Sequence, residues 1–183
     1  CKVPRSLTHE NPQSSTVTQG IITQPLIMSP NPHITQLALI PPNCDERFLP
    51  IEAPHLKALA EQGLVLGGLS RLYRPYEIGR PNARIHLLLF TLRGAGKLHS
   101  AGGQRTLRPR ELLIAPAGSA YRYQVAQEPW ELAWLHFAPK ARWASGGVRK
   151  LTVRPTSVLS QIVAPLERIL RESSEKQFES GRL

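Results

Sequence analysis

Two phenols stand one residue apart in the stretch Ala120-Tyr121-Arg122-Tyr123-Gln124-Val125, and an indole and an imidazole do the same in Trp134-Leu135-His136. On an extended strand, residues two apart share a face. Tyr121 and Tyr123 therefore point one way and Arg122 the other, and Trp134 and His136 share a side. Phenol hydroxyls donate and accept hydrogen bonds, and an indole ring covers flat or apolar surfaces. Such groups suit recognition better than bond breaking. The groups that catalysis or metal binding would need are missing as patterns. The six histidines (9, 33, 55, 86, 99 and 136) are scattered without a His-x-His pair, and the two cysteines, Cys1 and Cys44, have no metal spacing. One histidine beside a tryptophan does not make a metal site. There are no paired carboxylates, no nucleophile elbow and no phosphate-cradling loop. Gly94-Ala95-Gly96 reads as a hairpin turn, not as the start of a nucleotide-binding helix.

The elements that must position these rings follow from periodicity. "ELLIAP", a Pro116-Ala117-Gly118 corner and "AYRYQV" read as strand, turn, strand. "IHLLLFTLRG" is a nearly continuous apolar run, the pattern of a strand buried on both faces. "GAGKLHSAGGQRTL" reads as two short strands about a Gly-rich bend. "LVLGGLSRLYRPYEI", "ELAWLHFAP" and "VRKLTV" add further strands, the first with Leu72, Arg74, Tyr76 and Ile78 on one side. About seven short strands with Gly and Pro corners indicate a sandwich or small barrel. A short helix is expected over 53–62, with Pro54 at its start, Leu56, Leu59 and Ala60 on its apolar face, and Gly63 as its stop. After Pro155 the period changes. Leu159, Ile162, Val163, Leu166, Ile169 and Leu170 form one face of an amphipathic helix. Thr156 or Ser157 can cap it, and Pro165 predicts a kink or a fresh start. The end, "RESSEKQFESGRL", reads as polar and loosely organised. Residues 1–50 are rich in proline and small polar residues, with apolar snippets "GIITQPLIM" and "ITQLALI", and read as an arm with one or two short strands.

A chain of 183 residues, 41% hydrophobic, can bury one good core but hardly two. No segment has the apolar length of a membrane span, the start lacks a secretory pattern, and two free thiols fit the cytoplasm. The formal charge is +10. Residues 71–110 hold nine Arg or Lys against the single acid Glu77, and residues 140–154 hold five more with no acid. These cations are interleaved with apolar residues in strands and turns, so they read as a solvated basic surface rather than a DNA-contacting helix.

The strings "LLLFTLRGAG", "LRPRELLIAPAGSAYRY" and "PWELAWLHFAPKARW", in this order, resemble the N-terminal sensing domain of the AraC family of bacterial transcription regulators. The resemblance spans roughly residues 64–160. It departs at Arg110-Glu111, where the family usually carries Gly-Asp. It implies a cupin-type double-stranded β-helix, a jelly-roll barrel whose open end takes a small effector. It also implies homodimers in the full-length protein and a DNA-binding part of two helix-turn-helix units, which this chain stops before. Arg80, Tyr123 and Trp134 match pocket positions of the sugar-sensing members. An Arg fork can hold a hydroxyl pair or a carboxylate, Tyr supplies a hydroxyl, and the indole covers a ring face. Two residues before Trp134 those members carry an imidazole, and this chain carries Leu132, so an identical sugar is not expected. Metal-dependent cupins would need a histidine where Tyr121 stands.

The expectation is therefore a mainly β, cupin-type barrel with an N-terminal arm (1–52), a sensing barrel with a leading helix (53–154) and a C-terminal helical segment (155–183). Its candidate ligand-binding residues are Arg80, Tyr121, Tyr123, Trp134 and, as a pocket-rim imidazole, His86. No catalytic residue, metal or cofactor is expected. The effector is a small acidic or polyhydroxylated molecule. A domain serving only dimerisation, with a barrel filled by its own side chains, and a metal-dependent cupin enzyme are the alternatives.

Overall fold

The computed structural model describes residues 34–141 and 149–180; the snippet at 20–28, and Trp143 in the last matching string, lie outside the described residues. The backbone is mostly strand: β1 (Leu37–Leu39), β2 (Asp45–Phe48), β3 (Leu64–Leu72), β4 (Glu77–Arg80), β5 (His86–Ser100), β6 (Gly103–Leu107), β7 (Glu111–Ala115), β8 (Tyr121–Phe137) and β9 (Thr152–Pro155). A 3-10 turn, Pro54–Leu56, leads into the short helix α1 (Lys57–Glu61), and a long helix, α2 (Leu159–Ser180), closes the chain.

The spine is an antiparallel ribbon of the two longest strands. β5 pairs with β8 from His86↔Phe137 to Ser100↔Tyr121. Register shifts between Thr91 and Gly96 mark β-bulges, which bend such a ribbon. Beyond the first part of β8 lie β4 and then β1; beyond its second part lie β3 and then β2. On the other edge, β6 and β7 pair with successive parts of β5, and β9 pairs with β7. The result is a rolled antiparallel sheet with one C-terminal helix, a jelly-roll barrel of the cupin type.

Three local expectations give way here. "AYRYQV" and "ELAWLHF" are not two strands but one of 17 residues, because Pro129 is absorbed at the bulged middle of the ribbon. Gly94-Ala95-Gly96 is not a hairpin turn but part of the same bulge. Gly94 takes φ +70, and a Cβ on Gly96 would run into the indole ring of Trp130. The real hairpin lies at Ala101–Gly102, between β5 and β6. The run from Leu72 to Ile78 is also interrupted: β3 stops at Leu72, β4 starts at Glu77, and Arg74 is exposed, its side chain on Glu128 at 3.0 Å. The leading helix stops as expected at Gly63, φ +93, but Leu59 stays exposed. α2 runs unbroken through Pro165 and continues to Ser180, so the polar end is helical as far as that residue. The Thr156 hydroxyl accepts a hydrogen bond from the Val158 N–H just ahead of it.

Arg110 sits in the left-handed region at φ 67, in the turn before β7. This is the position at which the resemblance expects glycine, and the turn keeps its glycine-type shape with an arginine in it. Its N–H still bonds to Thr91 O and its carbonyl accepts from Thr156 N–H.

The continuous run in β5 is buried on both faces because it divides two cores. Leu87 and Leu89 join Leu72, Leu98, Leu113, Tyr121, Tyr123 and Trp130 inside the barrel. Phe90 joins Leu69, Leu112, Ile114 and Ala133 on the outer face, with Leu166 and Leu170 of α2 packed over them. β8 divides the same way, with Leu132 and Trp134 inward and Ala133 and Leu135 toward the helix.

Candidate functional site

The inward face of β8 places Tyr121, Tyr123, Leu132, Trp134 and His136 along one wall. β4 adds Ile78 and Arg80, and the turn ahead of it adds Tyr76. Ile40, Glu46 and Phe48, from the segment before α1, complete the lining. Together these residues line a partly open cavity of about 140 Å³. That is close to the roughly 150 Å³ known to hold a benzene-sized molecule.

Four of the five residues singled out from the sequence, Arg80, Tyr121, Tyr123 and Trp134, line this cavity. His86 does not. Its Nδ1 accepts from the Ala117 N–H at 3.0 Å, and its Nε2 lies 3.2 Å from Pro139 O, a pairing that puts the ring proton on Nε2. His86 ties the β5 start to two loops away from the cavity.

The cavity groups are fixed by hydrogen bonds. Trp134 Nε1–H donates to Ser70 Oγ at 2.8 Å; Ser70 Oγ and the Tyr76 hydroxyl donate to Glu46 Oε1 at 3.4 and 3.3 Å. Arg80 Nη1 donates to the carbonyls of Leu37 and Gly79 at 2.8 and 2.9 Å. Tyr121 and Tyr123 stack with ring centres 6.0 Å apart, and Phe48 meets Trp134 edge-on at 5.6 Å. Trp130, which faces the same core but not the cavity, is fully buried with its Nε1–H on Thr91 Oγ1.

Burial sets the protonation of these groups. It pushes the Tyr121 hydroxyl up to about 12, partly opposed by Arg80, and holds Tyr123 well above the ordinary phenol range. Tyr76 is raised as well, by burial and then by the Glu46 carboxylate. All three are hydrogen-bond donors at neutral pH. Burial, reinforced by the Arg80 charge, lowers His136 to about 4, so its imidazole is neutral. Among the described residues, its buried Nδ1 has no hydrogen-bond partner.

Sequence reasoning missed Glu46 and Phe48 altogether. "DERF" has no apolar alternation, and only pairing with β3 turns Glu46 inward. His136 was legible as sharing a face with Trp134, but nothing in the sequence made that face a cavity wall. The excess of arginine gave no cavity charge beyond Arg80. Arg71, Arg74, Arg105 and Arg122 point outward and meet Glu131, Glu128, Glu111 and Glu77. Among the described residues no three of His, Cys, Asp and Glu gather as a metal ion would require, and no helix is long and apolar enough to cross a membrane.

Comparison with known proteins supplies the family. The sequence model of the AraC-like ligand-binding domain matches residues 76–182. The arabinose operon regulatory proteins of Salmonella typhimurium and Escherichia coli are each 31% identical over 74 residues, 39% of this chain. The match covers 26% and 25% of those proteins, so the chain spans about a quarter of their length. Among solved structures, the protein Ylba from E. coli is similar with a TM-score of 0.47 and 21% identity, covering 65% of this chain and 48% of that one. The 11S allergen from Cocos nucifera is similar with a TM-score of 0.43 and 19% identity, covering 68% and 33%. With more than half its length matched by the family model, this chain belongs to the AraC-like ligand-binding domain family.

Proposed function

We propose that this chain is the effector-binding part of a transcription regulator. A small polar organic molecule, about one ring in size, enters the cavity, and its binding controls DNA contact by a helix-turn-helix part of the full-length, homodimeric protein in the cytoplasm. One observation carries the reading: Arg80, Tyr121, Tyr123 and Trp134 converge on a cavity of about 140 Å³ whose wall also holds a neutral imidazole without a partner. A barrel built only for assembly would fill that space with apolar side chains, since an empty polar-lined void costs packing and leaves polar groups unpaired.

The wall formed by Ile40, Glu46 and Phe48 offers a route from guest to output. Phe48 is half exposed at 52% and leans on Trp134, so a guest under the indole touches both barrel and arm. A guest acts on DNA binding only through its different affinity for the two arrangements of the regulator. The role is regulatory, without chemistry on the guest.

Melting curves of the protein with sugars, sugar acids, amino acids and small aromatic acids test the reading. A true effector at a hundred times its Kd adds about 2.7 kcal/mol of stability, a rise of roughly 5–10 °C for a chain of this size. No rise with any class, and no change in tryptophan emission, would overturn it.

A further inference from the structure

We propose that the guest of this cavity is a small zwitterion whose ammonium group meets Glu46 and whose carboxylate meets Arg80. The inference rests on the effector-binding reading and narrows its ligand class.

The cavity carries two opposite charges that do not neutralise each other. Neither Arg80 nor Glu46 takes part in any salt bridge among the described residues. Both hydrogen bonds to Glu46 fall on Oε1, from Ser70 and Tyr76, which fix the carboxylate and leave Oε2 for another donor. Both hydrogen bonds from Arg80 leave from Nη1, toward Leu37 and Gly79, and leave the rest of the guanidinium fork for an acceptor.

The two charges mark two ends of the space. Glu46 bonds to the Tyr76 hydroxyl and to Ser70, which pairs with Leu132, while Arg80 pairs with Tyr121 at the far end of β4. Tyr123, paired with Ile78, stands in register between the Tyr76 and Arg80 positions. At the negative end, Phe48 and Trp134 are linked to Glu46 through strand β2 and the Ser70 hydroxyl, and their ring faces suit an ammonium. At the positive end, Arg80 also borders a surface groove that holds Arg84. The unpartnered His136 Nδ1 stands on the cavity wall beside Trp134, its ring 5.2 Å from the indole.

Desolvation decides among guests. A molecule with only a carboxylate would cover Glu46 without giving it a counter-charge, and one with only an amine would do the same to Arg80. A neutral polyol would cover the exposed parts of both half-buried charges and compensate neither. Burying an unpaired charge is far more costly than burying a paired one. A zwitterion cancels both, and about 140 Å³ admits an amino acid or an amino-substituted ring acid but no peptide.

The test is calorimetric titration of the 183-residue chain with the protein amino acids, amino-substituted sugar acids, pentoses and hexoses. Each binder is followed by its matched amine and matched acid, lacking one charge. At least one zwitterion should bind, and removing either charge should weaken it by about tenfold or more. Glu46→Gln, nearly the same shape, should weaken the zwitterion by a similar factor and leave the matched acid unchanged or tighter. Should that variant not fold, the matched ligands on the unaltered protein give the same answer. A pentose or hexose that binds more tightly than every zwitterion overturns this inference and leaves the effector-binding reading standing. Binding by none of these probes overturns both.

Discussion

The two faces of the β5–β8 ribbon are built from alternate residues of the same strands, yet they differ in kind. The outer face is apolar and closed: Phe90, Leu112, Ile114 and Ala133 lie under Leu166 and Leu170 of α2. The inner face of β8 carries two phenols, an indole and an imidazole, and together with Arg80 of β4 and Glu46 of β2 they surround a space that they do not fill. The first arrangement maximises burial of apolar surface; the second keeps donors and acceptors available at some loss of packing. Away from the cavity the barrel interior is as apolar and as buried as the outer face, with Leu72, Leu87, Leu98 and Trp130 in it, so the contrast lies between the cavity end and the helix-covered face.

This separation can be broken or sharpened by substitution. The largest effect is expected on the outer face, where Phe90→Ala should destabilise the protein by about 3–5 kcal/mol, read as a lower urea midpoint. The folded fraction should keep its affinity for a guest. Tyr123→Phe is the counterpart inside, with a stability change of about 1 kcal/mol or less and a clear loss of guest affinity. Equal stability losses in the two variants would erase the contrast.

His86→Ala tests a residue that belongs to neither face. It strips partners from Ala117 N–H and Pro139 O and should cost about 1–3 kcal/mol while guest binding is unchanged. A selective loss of affinity would return His86 to the site.

Acidification probes the cavity wall at His136. Its folded value, about 4, lies below the ordinary 6.5, so the unfolded chain binds the proton first. Stability contributed by the neutral ring is therefore present above pH 6.5 and falls as pH drops from about 6.5 toward 4. His99, lowered by burial and by Arg122 and Lys97, tilts the curve in the same sense. His136→Gln should flatten that slope in urea titrations. An unchanged slope would mean that the ring is solvated in the folded protein.

The smallest change expected is a gain. Arg110→Gly should stabilise by about 0.5–1 kcal/mol, since glycine takes φ 67 without the penalty that arginine bears there. The gain touches neither core face, so guest affinity serves as its control.

Much of this architecture was legible before the structure. Alternation at Tyr121 and Tyr123 gave the facing of β8, and the run from Ile85 announced a strand with two buried sides. The spacing from Leu159 to Leu170 gave the face of α2 that packs on the barrel. What escaped depends on long-range pairing. Glu46 sits in "DERF", an edge strand that carries no periodic signal, and only β3 directs its carboxylate inward. The glycines at 94 and 96 signal a special backbone, but a bulge and a turn use the same residues. The difference lies in Trp130, 34 residues further on, whose ring occupies the space beside Gly96. His86 and His136 look alike in sequence, each among apolar neighbours; loop carbonyls and amides capture the first and leave the second on the cavity wall.

Because β8 alternates wall and seat residue by residue, a change at Leu132, Trp134 or His136 alters what the pocket admits and spares the surface on which α2 rests. The lining of the cavity can therefore be altered one side chain at a time while the helix seat is left as it is. The opposite holds for the register of β8: a slip of one residue would exchange the wet side for the greasy one and forfeit both at once.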